Sequence, residues 1–120
     1  MTESSKRILI IDDDAQLLET LSDRLQFDNY LVQVAQDPME GFKLATSRKP
    51  HIILLDVMMP KVSGFEIIKM LKSNPASKDI PVIMVTAKSK LGDTFIAEGA
   101  DDFVVKPYEY DELKKKIDRL

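Results

Sequence analysis

Cysteine is absent from the 120-residue chain, so the fold has no disulfide and the chemistry no thiol. That absence suits a reducing, cytoplasmic compartment. Long hydrophobic runs are absent too, and no stretch approaches a membrane span of about 18 apolar residues. The opening, MTESSKR, is polar and has no apolar signal core. Residues 1–6 are expected to form a frayed tail, and residues 7–120 one domain large enough to hold a core without staples. A dominant charge is also lacking. The net charge is −3, with acids and bases mixed along the chain, which gives no footprint for direct nucleic-acid binding. Histidine is nearly missing: His51 alone cannot build a metal site and is badly placed for a serine–histidine–acid arrangement. A surface or hinge role fits it better. Glycine-rich phosphate loops are missing as well. No GxGxxG follows the first strand, and no GxxxxGK precedes a serine or threonine, which excludes dinucleotide and P-loop nucleotide sites.

What is present is a series of short apolar runs separated by helical patterns. Arg7–Ile11, Leu31–Ala35, Ile52–Leu55, Val82–Val85 and Phe103–Val105 read as strands. Leu18, Leu21 and Leu25, with Leu17 beside them, recur at helical spacing after Asp14, which can cap that helix. Asp37-Pro38-Met39-Glu40 reads as a second helix start, with Phe42 and Ala45 facing the sheet. Ser63 and Glu66 form a second capping pair, and Phe65, Ile68 and Leu71, with Ile67 alongside, give that helix its buried face. A short helix is expected around Leu91, Phe95 and Ile96, closed by Gly99. The last helix starts near Glu109 and carries an apolar stripe of Tyr110, Leu113, Ile117 and Leu120. Regular strand–helix alternation predicts an α/β, doubly wound parallel sheet covered on both faces, a three-layer sandwich.

All strands of a parallel sheet end on one edge, and that edge is where open α/β sheets bind ligands. Four of the five strands end in a reactive polar group: Asp12 and Asp13, Asp56, Thr86, and Lys106. Capping explains Asp14, but it does not explain Asp12 and Asp13. Adjacent carboxylates repel unless something positive balances them. Clustered carboxylates suit Mg2+, a hard ion that takes oxygen ligands and keeps waters. Lys106 brings a point charge for phosphate oxygens, and the Thr86 hydroxyl a hydrogen bond. Asp56 is then the nucleophile, as carboxylates are in aspartyl-phosphate chemistry. A haloacid-type phosphatase also uses a strand-end aspartate, but it would carry a second acid two residues on, where Asp56 is followed by Val57 and Met58.

With these pieces in place, the chain resembles the response-regulator receiver domains of two-component signalling, the CheY-like superfamily. The matching segments are ILIIDDD, LLDVMMP with Gly64 beyond it, VTA, and GADDFVVKP. The resemblance implies a flavodoxin-like (βα)5 fold with strand order 2-1-3-4-5. It implies that Asp12, Asp13 and Asp56 bind Mg2+ together with the Met58 backbone carbonyl. It further implies that Asp56 is phosphorylated, that Lys106 senses the phosphate across a cis Lys106-Pro107 bond, and that Thr86 and Phe103 form a switch pair. The implied donor is a phosphohistidine on a histidine kinase or a histidine phosphotransfer domain, and the implied readers are an output domain or an effector protein. Such a protein is a signalling switch that catalyses its own phosphotransfer and slow dephosphorylation, without an external substrate.

The sequence departs from the family at Ser63, where an acid usually precedes the glycine, and between Thr86 and Phe103, where the interval is slightly short. Two other readings compete. One is a receiver-shaped interaction module that works without phosphate, against which Asp56 and Lys106 both speak. The other is the regulatory part of a longer regulator with DNA-binding or enzymatic output.

Overall fold

In the computed structural model, which describes residues 6–56, 64–86 and 99–120, the apolar runs are strands. β1 (Arg7–Ile11), β2 (Leu31–Ala35), β3 (Ile52–Asp56), β4 (Val82–Thr86) and β5 (Asp102–Val105) form one parallel sheet in the order β2-β1-β3-β4-β5. This is the flavodoxin-like order that the resemblance implies. Four helices are described: α1 (Ala15–Phe27), α2 (Pro38–Arg48), α3 (Gly64–Ser73) and α4 (Tyr110–Arg119). The helix expected around Leu91, Phe95 and Ile96 lies outside the described residues, and so does the expected cap at Ser63.

Strand alternation divides the core in two. Leu9, Ile11, Ile53, Leu55, Val82 and Met84 face α2 and α3. Ile8, Ile10, Ile52, Leu54, Ile83 and Val85 face α1 and α4. Every residue of β3 and β4 is buried, which is why these strands read as unbroken apolar runs.

Local chemistry sets the helix starts. The Asp14 carboxylate accepts the N–H groups of Gln16 and Leu17 at 3.1 and 3.2 Å, and Asp37 accepts those of Met39 and Glu40 at 3.0 Å. Leu18, Leu21 and Leu25 are buried as their spacing predicts. At the end of α1, Tyr30 donates to Asp118 and Tyr110 donates to Asp28, fastening α1 to α4. Arg24 lies 4.2 Å above the Tyr110 ring.

Several expected faces shift in detail. On α2 Ala45 is buried but Phe42 only partly, and Gly41 is buried close against Ile11. On α3 Ile67 is fully buried with Ile68 and Leu71, whereas Phe65 packs at the margin. The α4 stripe ends at Ile117, because Leu120 is 42% exposed. Lys6, expected in the tail, is tied in: its carbonyl accepts the Leu31 N–H at 2.9 Å and its ammonium donates to the Ile117 carbonyl at 3.1 Å.

Gly41 lets α2 lie directly on β1. A Cβ there would stand 2.6 Å from Ile11 Cδ1, and Ile11 is fully buried with nowhere to retreat. Gly41→Val is therefore expected to cost about 2 kcal/mol through overpacking, despite removing a flexible residue from a helix. Urea unfolding of the variant should show a lower midpoint; an unchanged midpoint would mean that this contact is looser than it looks.

Candidate functional site

The sheet order brings the reactive strand ends together. β1 and β3 are neighbours, with Ile11 in register with Leu55, so Asp12 and Asp56 follow side by side at the carboxyl edge. Both are buried, while Asp13 is exposed. Ligand oxygens of Asp12, Asp13 and Asp56 all lie within 4.8 Å of one another. An all-oxygen set of this kind, two members buried and one open to solvent, fits a hard divalent cation that keeps part of its water shell.

The positive group needed to balance these acids arrives from β5. Lys106 Nζ stands 3.6 Å from Asp12 Oδ2 and 3.5 Å from Asp56 Oδ1. Its backbone N–H donates to the Thr86 carbonyl at 2.7 Å, and the Lys106-Pro107 bond is cis. Asp14 stays out of the cluster, as a helix cap should. Its N–H donates to Asp12 Oδ1 at 2.9 Å. Met58, the expected carbonyl ligand, lies outside the described residues.

Burial pushes the Asp12 carboxyl above its ordinary value; the Asp14 N–H and the Lys106 ammonium pull it back, and Asp13 pushes it up again. The fold thus holds this proton more tightly than the unfolded chain does. Without metal, stability should fall as pH rises from the ordinary value of 3.8 through the raised one, then level off. Asp12→Asn keeps an oxygen for the Asp14 N–H and is expected to remove that decline. Urea unfolding across this pH range in EDTA tests it; equal slopes for both proteins would refute it.

Thr86 and Phe103 share a sheet face. Phe103 is in register with Met84, and Thr86 follows Met84 by two residues. Thr86 is buried, and the Phe103 ring is half-buried against the core on the α2–α3 side. The two side chains are therefore diagonal neighbours across β4 and β5.

Sequence reasoning passed over Tyr108. Its phenol is pushed up by burial and then by the Asp12 carboxylate, so it feels the acid site. It also lines an open groove of about 410 Å3 with Asp14, Leu17, Arg24 and Tyr110. The available signal was its place directly after Lys106-Pro107. His51 has a structural role away from this edge: its Nδ1 accepts the Arg7 N–H at 2.8 Å, and its own N–H donates to the Arg7 carbonyl at 2.8 Å.

The response regulator receiver domain family matches residues 8–118, and the chain belongs to that family. Among curated proteins, it is 39% identical over 116 residues to the DNA-binding dual master transcriptional regulator RpaA of Synechocystis sp., covering 95% of this chain and 48% of that protein. It is 35% identical to the response regulator MprA of Mycobacterium sp., covering 95% of this chain and 50% of that one. The chain thus spans about half the length of the curated relatives it matches. Among solved structures, the chemotaxis response regulator CheY4 of Vibrio cholerae superimposes with a TM-score of 0.90 at 29% identity, over 97% of this chain and 98% of that one. The response regulator TrrA of Thermotoga maritima, solved in complex with Mg2+ and BeF, gives 0.86 at 33% identity, over 95% and 97%. No helix among the described residues is long and apolar enough to cross a membrane.

Proposed function

We propose that residues 7–120 form a receiver domain in which Asp56 accepts a phosphoryl group from a phosphohistidine on a histidine kinase or phosphotransfer domain. The observation that carries this reading is the placement of Lys106 Nζ at 3.5 Å from Asp56 and 3.6 Å from Asp12, inside a cluster of three carboxylates. Asp12, Asp13 and Asp56 would hold Mg2+, with the Met58 carbonyl completing the protein ligands. When bound, that ion supplies positive charge to the transferring oxygens.

In the transfer, an Asp56 oxygen attacks phosphorus in line. An O–P bond forms, the P–N bond to the donor imidazole breaks, and its electron pair leaves with the ring nitrogen. Lys106 turns from the carboxylates to a phosphoryl oxygen, and the Thr86 hydroxyl donates to another. Thr86 thereby moves toward Asp56, and the Phe103 ring follows into the space it leaves. Phe103 has no hydroxyl, so its inward position needs no polar partner. The apolar groove beside Asp14 and Tyr108 gives a protein donor somewhere to rest next to the acids. The compartment is the cytoplasm. The name of the Synechocystis relative, a DNA-binding transcriptional regulator, supports an output on transcription, exercised by a region or effector other than this domain.

Phosphoramidate carries the same P–N bond as phosphohistidine in a small molecule, so it tests the transfer without the partner. With Mg2+ present, one phosphoryl group per chain should appear by intact mass, and EDTA should abolish it. No uptake with Mg2+, or equal uptake in EDTA, would sink the proposal.

A further inference from the structure

β2 is an edge strand whose neighbour among the described residues is β1, on one side. The Leu31 N–H bonds the Lys6 carbonyl, and the Ala35 carbonyl accepts the Asp12 N–H. By the alternation of a parallel ladder, Val32 and Val34 then direct their N–H and C=O groups outward. Edge strands are ordinarily guarded by charge, proline or a bulge, because an open ladder templates pairing. LVQVA has no charge and no proline, and its register with β1 runs unbroken. Leu31 and Val34 are exposed besides.

The surroundings of this edge are polarised along its length. At the Leu31 end, Arg7 and Arg48 line a hollow with Leu31 and Gln33. At the Val34 end, Glu19, Asp23 and Glu40 rim a second hollow floored by Leu18 and Val34. Phe27 closes α1 a few residues before Leu31 and is 86% exposed.

We infer that this edge pairs with the same edge of a second copy of the chain, antiparallel, about a twofold axis near Gln33. Such an axis sets the Leu31 end of each β2 beside the Val34 end of the other. Val32 exchanges N–H···O bonds with Val34 of the other copy, and Val34 with Val32, about four bonds in all. The basic end of each copy meets the acidic end of the other, with Arg48 opposite Glu40. Phe27 comes over the apolar floor at Leu18 and Val34. A peptide of unrelated sequence would find the open ladder but not the matched charges and the matching hollow, and this self-complementarity singles out a second copy. Asp56 ends β3 and Lys106 follows β5, away from the β2 edge, so the inference does not depend on phosphoryl transfer.

Sedimentation equilibrium of the whole chain, up to about 1 mM, tests it. The wild type should show a mass rising toward the dimer. Val34→Pro removes an outward N–H at a site where an edge strand tolerates proline, and should sediment as a monomer. Arg48→Glu and Glu40→Arg each set like charges against one another twice across the axis, and each should weaken the dimer on the order of tenfold. An equimolar mixture of the two should recover wild-type affinity, because both contacts become attractive again. Thermal melts check that each variant folds, and the charge variants decide the matter if Val34→Pro does not. A monomeric wild type, a dimer indifferent to Val34→Pro, or a mixture that fails to recover would each overturn the inference.

Discussion

Asp56→Asn is expected to fold and to lose phosphoryl uptake by more than about a thousandfold, because the substitution removes the nucleophile and little else. Asparagine nearly matches aspartate in shape, so the buried end of β3 keeps its packing. The remaining parts, Asp12, Asp13 and Lys106, still assemble at the edge, yet none of them replaces Asp56 in line with a donor. The apo fold should also gain slightly in stability. Two of the three clustered carboxylates, Asp12 and Asp56, stand 3.6 and 3.5 Å from the one ammonium, and neutralising Asp56 relieves its repulsion with the other two acids. Intact mass after incubation with phosphoramidate reads the first effect, and urea unfolding reads the second. Uptake within tenfold of wild type would mean that another group accepts the phosphate.

Lys106→Ala should act differently. Uptake should fall on the order of a hundredfold, since one charge facing the transferring oxygens is gone while the nucleophile remains. The larger consequence lies in the switch. Lys106 connects the acid site to β5, and its backbone N–H reaches the Thr86 carbonyl at 2.7 Å. Once its ammonium is removed, phosphate on Asp56 no longer pulls on β5, so the NMR shifts of Thr86 and Phe103 should barely respond. The variant also leaves Asp12 and Asp56 buried without their cation. A cost of about 1–3 kcal/mol is expected in the apo state, less than for a fully buried pair because the lysine is partly exposed. Mg2+ should recover part of that loss. A variant that matches wild type in stability and still shifts Thr86 on phosphorylation would contradict the role given to Lys106.

Much of this was legible in the chain because the chemistry sits at strand ends, where periodicity changes. HIILLD announces a buried strand delivering a carboxylate. The Asp12–Asp13 pair announces itself by repulsion that demands a cation, and the structure supplies Lys106. What periodicity could not show was which strands are neighbours. The order β2-β1-β3-β4-β5 came from the family resemblance, and it is this order that puts Asp12 beside Asp56. Helix faces were read less sharply. Ile67 and Phe65 are both apolar, and only the rotation of α3 against the sheet decides that Ile67 is the buried one. Gly41 carries no hydrophobic signal, yet it is a point where α2 lies too close to Ile11 of β1 to admit a Cβ. Tyr108 belongs to no motif that the sequence displays, and its nearness to Asp12 depends on how the chain leaves β5. The polarised β2 edge joins residues from β1, α1 and α2, so no single stretch of sequence displays it.

The chemical nature and position of the phosphoryl bond bear most directly on the carboxyl edge as a phosphoacceptor. Wild-type protein treated with acetyl phosphate and Mg2+ can be divided, half of it exposed to hydroxylamine, and both halves weighed intact and after proteolysis. An acyl phosphate on Asp56 is expected: one added group, located in the peptide that carries Asp56, lost completely to hydroxylamine and absent from Asp56→Asn. A group that survives hydroxylamine, as a phosphoserine on Ser63 or Ser89 would, or one that persists in Asp56→Asn, would place the acceptor elsewhere.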